Sequence, residues 1–255
     1  MAEPDSVAVE QIAGWLRDAR SVVVLTGAGI STESGIPDFR GPQGTWTKDP
    51  KAEKLSNIHY YMTDPEVRVA SWKARLVHPA WTAEPNAGHL ALADLEGKGH
   101  LDTLVTQNID GLHQKAGSSP ERVIEIHGTV REVVCMACGD RAPMERALER
   151  VRAGEADPSC RSCGGILKSA TISFGQSLVA EDLIRAEKAA QDCDLFLALG
   201  TMLTVYPVAY LPQRALQGGA RLVIANAQPT PFDGQADAVL RGSLGDVLSR
   251  LVALV

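Results

Sequence analysis

The chain has 255 residues, room for one large α/β domain carrying a small insertion. Hydrophobic residues make up 45% and charged residues 22%, which supplies a sizeable core and excludes global disorder. Aromatic residues are only 5%, so that core must be mainly aliphatic, as in buried parallel sheets. The formal net charge is −6 and no Lys/Arg block stands out, which disfavours nucleic acid as the main ligand. Residues 1–6 lack the basic and apolar regions of a secretory signal, and no segment approaches the ~20 apolar residues of a membrane span. A soluble, cytoplasmic protein is expected.

Taken in chain order, Val7 to Ala19 places Val9, Ile12, Ala13 and Leu16 on one face, predicting a helix with Ser6 as N-cap. Ser21 to Thr26 reads as a buried strand that runs into Gly27-Ala28-Gly29. Residues 42–85 show no clean period and read as a loop followed by short helices, a lid or small helical module. Ala87 to Leu95 looks helical, and Leu101 to Thr106 and Arg122 to Ile126 look like strands. From Cys135 to Cys163 the chain turns Cys-, Arg- and Glu-rich, with a helix over Met144 to Arg152. Beyond Phe174 come a helix (Val179 to Gln191), a strand (Asp194 to Leu199), a helix (Val208 to Gln217), a strand (Arg221 to Ala225) and a helix (Leu244 to Leu254). Strands alternating with helices imply a doubly wound parallel sheet with right-handed crossovers.

The Gly27-Ala28-Gly29 turn after a strand fits a phosphate-binding turn, where small residues admit a diphosphate and a following helix offers N–H donors. The fingerprint is incomplete: Thr32 stands in the third glycine's place, and no acidic ribose reader follows. Alone, the turn is equally an ordinary strand–helix connection. The loop Ser31 to Gly41 adds Asp38, Phe39 and Arg40; Arg40 suits a phosphate and Phe39 suits shielding a reactive sugar carbon, or the loop is merely structural.

Gln107, Asn108 and Asp110 follow a strand, where ligands of open α/β sheets sit, although Asn and Asp are also common turn residues. Among six His, His127 alone lies between an apolar strand and a glycine turn, and its near-neutral pKa suits a general base. A strand-terminal His satisfied by backbone is the plainer alternative. Cys135-x-x-Cys138 and Cys160-x-x-Cys163 match four-thiolate zinc spacing. Such a closed shell makes the metal structural, and a redox dithiol is the lesser alternative.

Together these residues resemble the sirtuin family of NAD-dependent protein deacylases. The resemblance lies in residues 27–31, 34–41 and 106–113, in His127-Gly128, the cysteine quartet, Gly200-Thr201 and Asn226. It implies a Rossmann-like domain over 1–41, 86–131 and 168–255, a helical insertion with the cofactor loop over 42–85, and a zinc-binding module over 132–167. It further implies that Gly27, Ala28, Gly29, Ser31, Asp38, Phe39, Arg40, Gly200, Thr201, Asn226 and Leu244 hold NAD⁺. Gln107 and His127 would contact the nicotinamide ribose, and Asn108, Ile109 and Asp110 would form the nicotinamide pocket. His127 and Asn108 would be catalytic. The implied reaction passes the acyl group of a protein lysine to ADP-ribose, releasing nicotinamide and O-acyl-ADP-ribose.

Two features depart from the family pattern. Family members preferring succinyl or malonyl lysine carry a Tyr-x-x-Arg pair before a Glu-Pro-Asn segment; here Trp72 and Arg75 stand there, upstream of Glu84-Pro85-Asn86. With Asp38 after Pro37 as well, acetyl or another uncharged acyl group is expected, with dicarboxylic acyl groups as the alternative. Phe174, expected in the lysine tunnel, is followed by Gly175-Gln176 where many relatives have Gly-Glu. A mono-ADP-ribosyltransferase or an NAD-sensing module would use the same residues.

Overall fold

The computed structural model describes residues 6–38, 41, 44 and 52–255, the side chains of residues 52 and 53 excepted. Phe39 and Arg40 lie outside the described residues. Six parallel strands form the main sheet: β1 (Val22–Thr26), β2 (Thr103–Thr106), β3 (Val123–Glu125), β7 (Leu195–Leu199), β8 (Arg221–Ala225) and β9 (Ala238–Leu240). Their spatial order is β3-β2-β1-β7-β8-β9. That is the 3-2-1-4-5-6 order of a Rossmann fold, and the chain reverses direction across the sheet between β1 and β7.

Successive strand residues feed opposite layers. Val22, Val24, Leu195, Leu197 and Leu199 pack under α1 (Ser6–Asp18), α5 (Ala87–Gly97) and α10 (Leu244–Ala253). Val23, Leu25, Phe196 and Ala198 pack on the other side, against α8 (Ala180–Asp192) and α9 (Leu211–Gly218). Both layers are mainly aliphatic, as the composition requires. The helix expected over Val208 to Gln217 divides into a 3₁₀ turn at Val208–Tyr210 and α9, which carries Pro212 in its first turn.

A second sheet of β4 (Gly128–Cys135), β5 (Arg141–Pro143) and β6 (Leu167–Thr171) is antiparallel, in the order β5-β4-β6. With α7 (Met144–Arg152) it forms a small module whose strands run from Gly128 to Thr171. β4 lacked a period-two signal because its pairing with β6 shifts register between Gly128 and Val133. β6 lacked an apolar signal because it buries Lys168, whose ammonium donates to the carbonyls of Ser169 and Thr171.

The insertion supplies α2 (Ala52–Leu55), α3 (Ile58–Thr63) and α4 (Pro65–Leu76). Asp64 caps α4 by accepting from the N–H groups of Glu66 and Val67. These helices are fastened to the small module: Tyr61 Oη donates to the Leu167 carbonyl at 2.7 Å, and Arg68 Nε to Asp157 at 2.6 Å. Among the described residues no helix is long and apolar enough to cross a membrane.

Candidate active site

The site is built where β1, β2 and β7 end. After Thr26 the chain turns at Gly27 into a 3₁₀ helix, Ala28–Ser34, stopped by Gly35 in the left-handed region (φ 81°). Gly27 N–H donates to the Leu199 carbonyl at 3.0 Å and Gly29 N–H to the Gly200 carbonyl at 2.9 Å. A Cβ on Gly27 would sit 2.7 Å from the Gly200 oxygen, and one on Gly200 (φ 62°) 2.6 Å from the Ile30 nitrogen. The glycines are therefore required by the close packing of the β1 and β7 loops against each other.

The loop after β2 lies against these turns. Gln107 Nε2 donates to Thr201 Oγ1 at 2.9 Å, and Asn108 Nδ2 donates to the Gly27 carbonyl (3.1 Å) and to Ser31 Oγ (3.0 Å). Ser31 in turn donates to Asp110 Oδ2 at 2.8 Å, while Asp110 Oδ1 accepts from Leu112 N–H at 2.9 Å. Asn108 and Asp110 are 8% and 4% exposed, so their orientation is fixed by these bonds rather than by solvent.

Two histidines that the sequence reading passed over sit behind this network. His89 and His113 are fully buried, with ring centroids 4.9 Å apart. Ser31 spends its only proton on Asp110, so His89 Nε2, 3.4 Å from Ser31 Oγ, must carry hydrogen. Its Nδ1 accepts from Asn86 N–H, in agreement. By the same count Thr26 donates to Thr106, so His113 Nε2 donates to Thr26 Oγ1. Burial, the main cause, pushes their pKa values down to about 4 for His89 and about 3 for His113. The only signal available was their place in the Asn86–His89 and Gly111–His113 segments flanking the polar loop.

His127 follows β3, half-buried, with Nδ1 3.1 Å from the Gln107 carbonyl. A carbonyl can only accept, so Nδ1 carries the proton and Nε2 is left as a free base. Burial lowers its pKa below the ordinary imidazole value, with the Gln107 bond opposing in part. The backbone of His127 accepts from Ile172 N–H at 2.7 Å, two residues before Phe174. Phe174 is itself tied to the helical insertion, donating to Ser56 and accepting from Ile58. Gln176 folds back, its Oε1 accepting from Ser173 N–H at 3.2 Å, so its side chain closes the turn over residues 173–176.

Asn226, at the end of β8, donates to Gln228 O (2.8 Å) and contacts Met202 Sδ (3.5 Å). Asp38 accepts from Gly41 N–H at 3.1 Å. Ile109 donates nothing described, but its carbonyl is held by Val130 N–H at 2.9 Å. Leu244, expected to touch cofactor, opens α10 and is 6% exposed, packed in the core layer.

Trp72, expected at the substrate, is 1% exposed and packs among Val133, Met144, Leu148 and Leu167. The amphipathic face of α4 turns it into the core of the small module. Arg75, one turn on, donates to Ser169 Oγ at 3.1 Å.

The four cysteine sulfurs lie within 4.8 Å of one another, with Cys135–Cys163 at 3.5 Å and Cys138–Cys160 at 3.8 Å. A tetrahedron of Zn–S bonds near 2.3 Å has sulfur–sulfur edges of about 3.8 Å, so the quartet fits zinc. Gly139 and Gly164, both at φ 75°, close the two knuckles by donating to the Cys135 and Cys160 carbonyls. The N–H groups aimed at sulfur belong instead to Ala137, Cys138 and Gly165.

Comparison with known proteins agrees with this geometry. The model of the Sir2 family matches residues 27–207. An NAD-dependent protein deacetylase 2 of Streptomyces coelicolor is 52% identical over 231 residues, covering 91% of this chain and 96% of that protein. A structure of Sir2 with a p53 peptide and NAD⁺ superposes with a TM-score of 0.86 at 34% identity, over 95% of this chain and 96% of the other. Sir2 bound to an acetylated peptide gives 0.85 at 33% identity, over 96% and 97%.

Proposed function

The chain belongs to the Sir2 family, and from that premise we propose how its residues divide the work of NAD⁺-dependent deacylation. It is an NAD-dependent protein deacylase acting on acylated lysines, with NAD⁺ as co-substrate and a structural zinc in the cysteine quartet. The observation that carries the catalytic assignment is His127: a neutral imidazole, its Nδ1–H held by Gln107, with Nε2 free at the mouth of the β2 and β3 ends. It is the general base that takes a proton from the ribose hydroxyls.

The loops after β1 and β7, with Gly27, Ala28, Gly29, Gly200 and Thr201, hold the dinucleotide, and Asn226 reads a ribose at the end of β8. Asn108, Ile109 and Asp110 line the nicotinamide pocket. Asn108 has used its amide donors on Gly27 and Ser31, which leaves Oδ1 as its spare acceptor for a ribose hydroxyl or a water. NAD⁺ supplies the electrophilic sugar carbon, and the chain's part is to orient it and exclude water.

The acyl group is acetyl or another small uncharged one. Trp72 is buried in the small module, and the phenol near Arg75 is that of Tyr61, itself buried with its hydroxyl donated to the Leu167 carbonyl, so no exposed Tyr–Arg pair receives a distal carboxylate. Phe174 flanks the lysine tunnel; its own main-chain groups are taken by Ser56 and Ile58, so the substrate backbone pairs with the main chain beside it. A cytoplasmic location fits a chain that keeps four thiols for metal. Incubating one peptide carrying acetyl, propionyl or succinyl lysine with NAD⁺ tests the preference. Faster removal of succinyl than acetyl would overturn it.

A further inference from the structure

A guanidinium outside the site described above connects three parts of the molecule. Arg131 stands on β4 of the small sheet. Its Nε and Nη2 both donate to the Asp110 carbonyl, at 3.2 and 2.9 Å, and Nη2 donates its other proton to the Ala80 carbonyl at 2.9 Å. The guanidinium carbon also lies 5.4 Å from the ring centre of Trp81, whose indole N–H donates to the Arg75 carbonyl at 2.6 Å. Next to Asp110, Gly111 is left-handed (φ 73°), and a Cβ there would meet Arg131 Nε at 3.3 Å.

The neighbouring residue reinforces the connection. Val130 N–H donates to the Ile109 carbonyl, so β4 fixes two successive carbonyls of the Asn108–Asp110 loop, Ile109 through backbone and Asp110 through a forked side chain. Fixing the Asp110 carbonyl fixes the direction from which its carboxylate meets Ser31 Oγ and Leu112 N–H. A forked guanidinium over an aromatic face is geometry that Lys cannot copy, since an ammonium is a point charge.

We infer that Arg131 is a positioning residue for nicotinamide: it latches the Asp110 loop to the helical insertion and thereby sets the affinity of the nicotinamide pocket. The inference rests on the reading that Asp110 lines that pocket. Arg131 touches no reacting atom and acts through the Asp110 backbone. Because the same side chain holds Ala80 and Trp81, movement of the helical insertion is felt at Asp110.

Arg131→Gln, Arg131→Lys and Asp110→Asn, made in the full chain, separate the possibilities. For each, KM for NAD⁺, KM for an acetylated peptide, the nicotinamide inhibition constant and Tm are measured. Loss of charge-assisted bonds predicts that Arg131→Gln raises KM for NAD⁺ and the nicotinamide constant about tenfold. Arg131→Lys should fall between, and the peptide KM should stay as it was. A parallel loss of peptide KM and Tm with no selective nicotinamide effect would show Arg131 to be a structural brace only. If Asp110→Asn raises both constants and Arg131→Gln does not, the latch alone is overturned. If Asp110→Asn leaves both alone, the pocket reading fails and the latch falls with it.

Discussion

His127 Nδ1 donates to the main-chain carbonyl of Gln107 at 3.1 Å, and the side chain of that same Gln107 donates to Thr201 at 2.9 Å. One residue thus sets the tautomer of the base and ties it to the β7 loop. The base must be neutral to work, and burial lowers its pKa below the ordinary 6.5. The acidic limb of kcat/KM is therefore expected below pH 6.5, with activity persisting as pH falls through that value. His127→Ala should cost at least about a hundredfold in kcat. A pH profile whose acidic limb lies above 6.5, or an active His127→Ala variant, would remove His127 from the general-base role.

His89 and His113 give the fold its own pH dependence. Their folded pKa values, about 4 and about 3, lie below the unfolded 6.5. Their contribution is therefore fully present above pH 6.5 and is lost as pH falls towards the folded values. Each contributes a slope of about 1.4 kcal/mol per pH unit in that window. Glu125 acts in the opposite sense, because burial raises its pKa from 4.5 to about 7 and its protonated form is favoured in the fold. Urea unfolding at several pH values should show stability declining below 6.5, less steeply in His113→Gln and more steeply in Glu125→Gln. Identical slopes in all three proteins would contradict the buried neutral pair.

The small module should fail as a unit. Trp72→Ala removes an indole buried against Val133, Met144 and Leu148 and is expected to cost about 3–5 kcal/mol. Cys160→Ser should release zinc, measured by a metal indicator, and lower the Tm of the same module. Trp72→Phe should keep zinc and leave the ranking of acyl substrates unchanged. A changed ranking in Trp72→Phe would return Trp72 to the acyl pocket.

The loop–loop packing carries a sharper test of the glycines. Gly200→Ala places a Cβ 2.6 Å from the Ile30 nitrogen at a left-handed position. The β1 and β7 loops must part, and NAD⁺ affinity should fall more than about tenfold while the core layers stay folded. Gly99→Ala, at a left-handed turn with open space around it, serves as the comparison and should leave NAD⁺ affinity intact. Equal affinity in Gly200→Ala would mean the loops are not the dinucleotide seat.

What the sequence disclosed follows from where apolar pattern and chemistry coincide. The six parallel strands include five that were read directly, because β1, β2, β3, β7 and β8 are short, mainly aliphatic runs. The four cysteines were legible from spacing alone. β4 and β6 were not, since a register shift breaks the alternation of one and a buried lysine hides the other. The burial of Trp72 was not legible, because an aromatic at helical spacing near a motif looks the same whether it faces a tunnel or a core. His89, His113 and Arg131 were missed because their roles lie in contacts across 21 to 87 positions of sequence.

The central claim is that this chain passes the acyl group of lysine to ADP-ribose, and mass spectrometry of the products tests it most directly. With an acetyl-lysine peptide and NAD⁺, equal amounts of deacetylated peptide, nicotinamide and O-acetyl-ADP-ribose are expected, with deacetylated peptide and O-acetyl-ADP-ribose formed at least about a hundredfold more slowly in His127→Ala. ADP-ribose found attached to the peptide, or deacetylation without consumption of NAD⁺, would contradict the account.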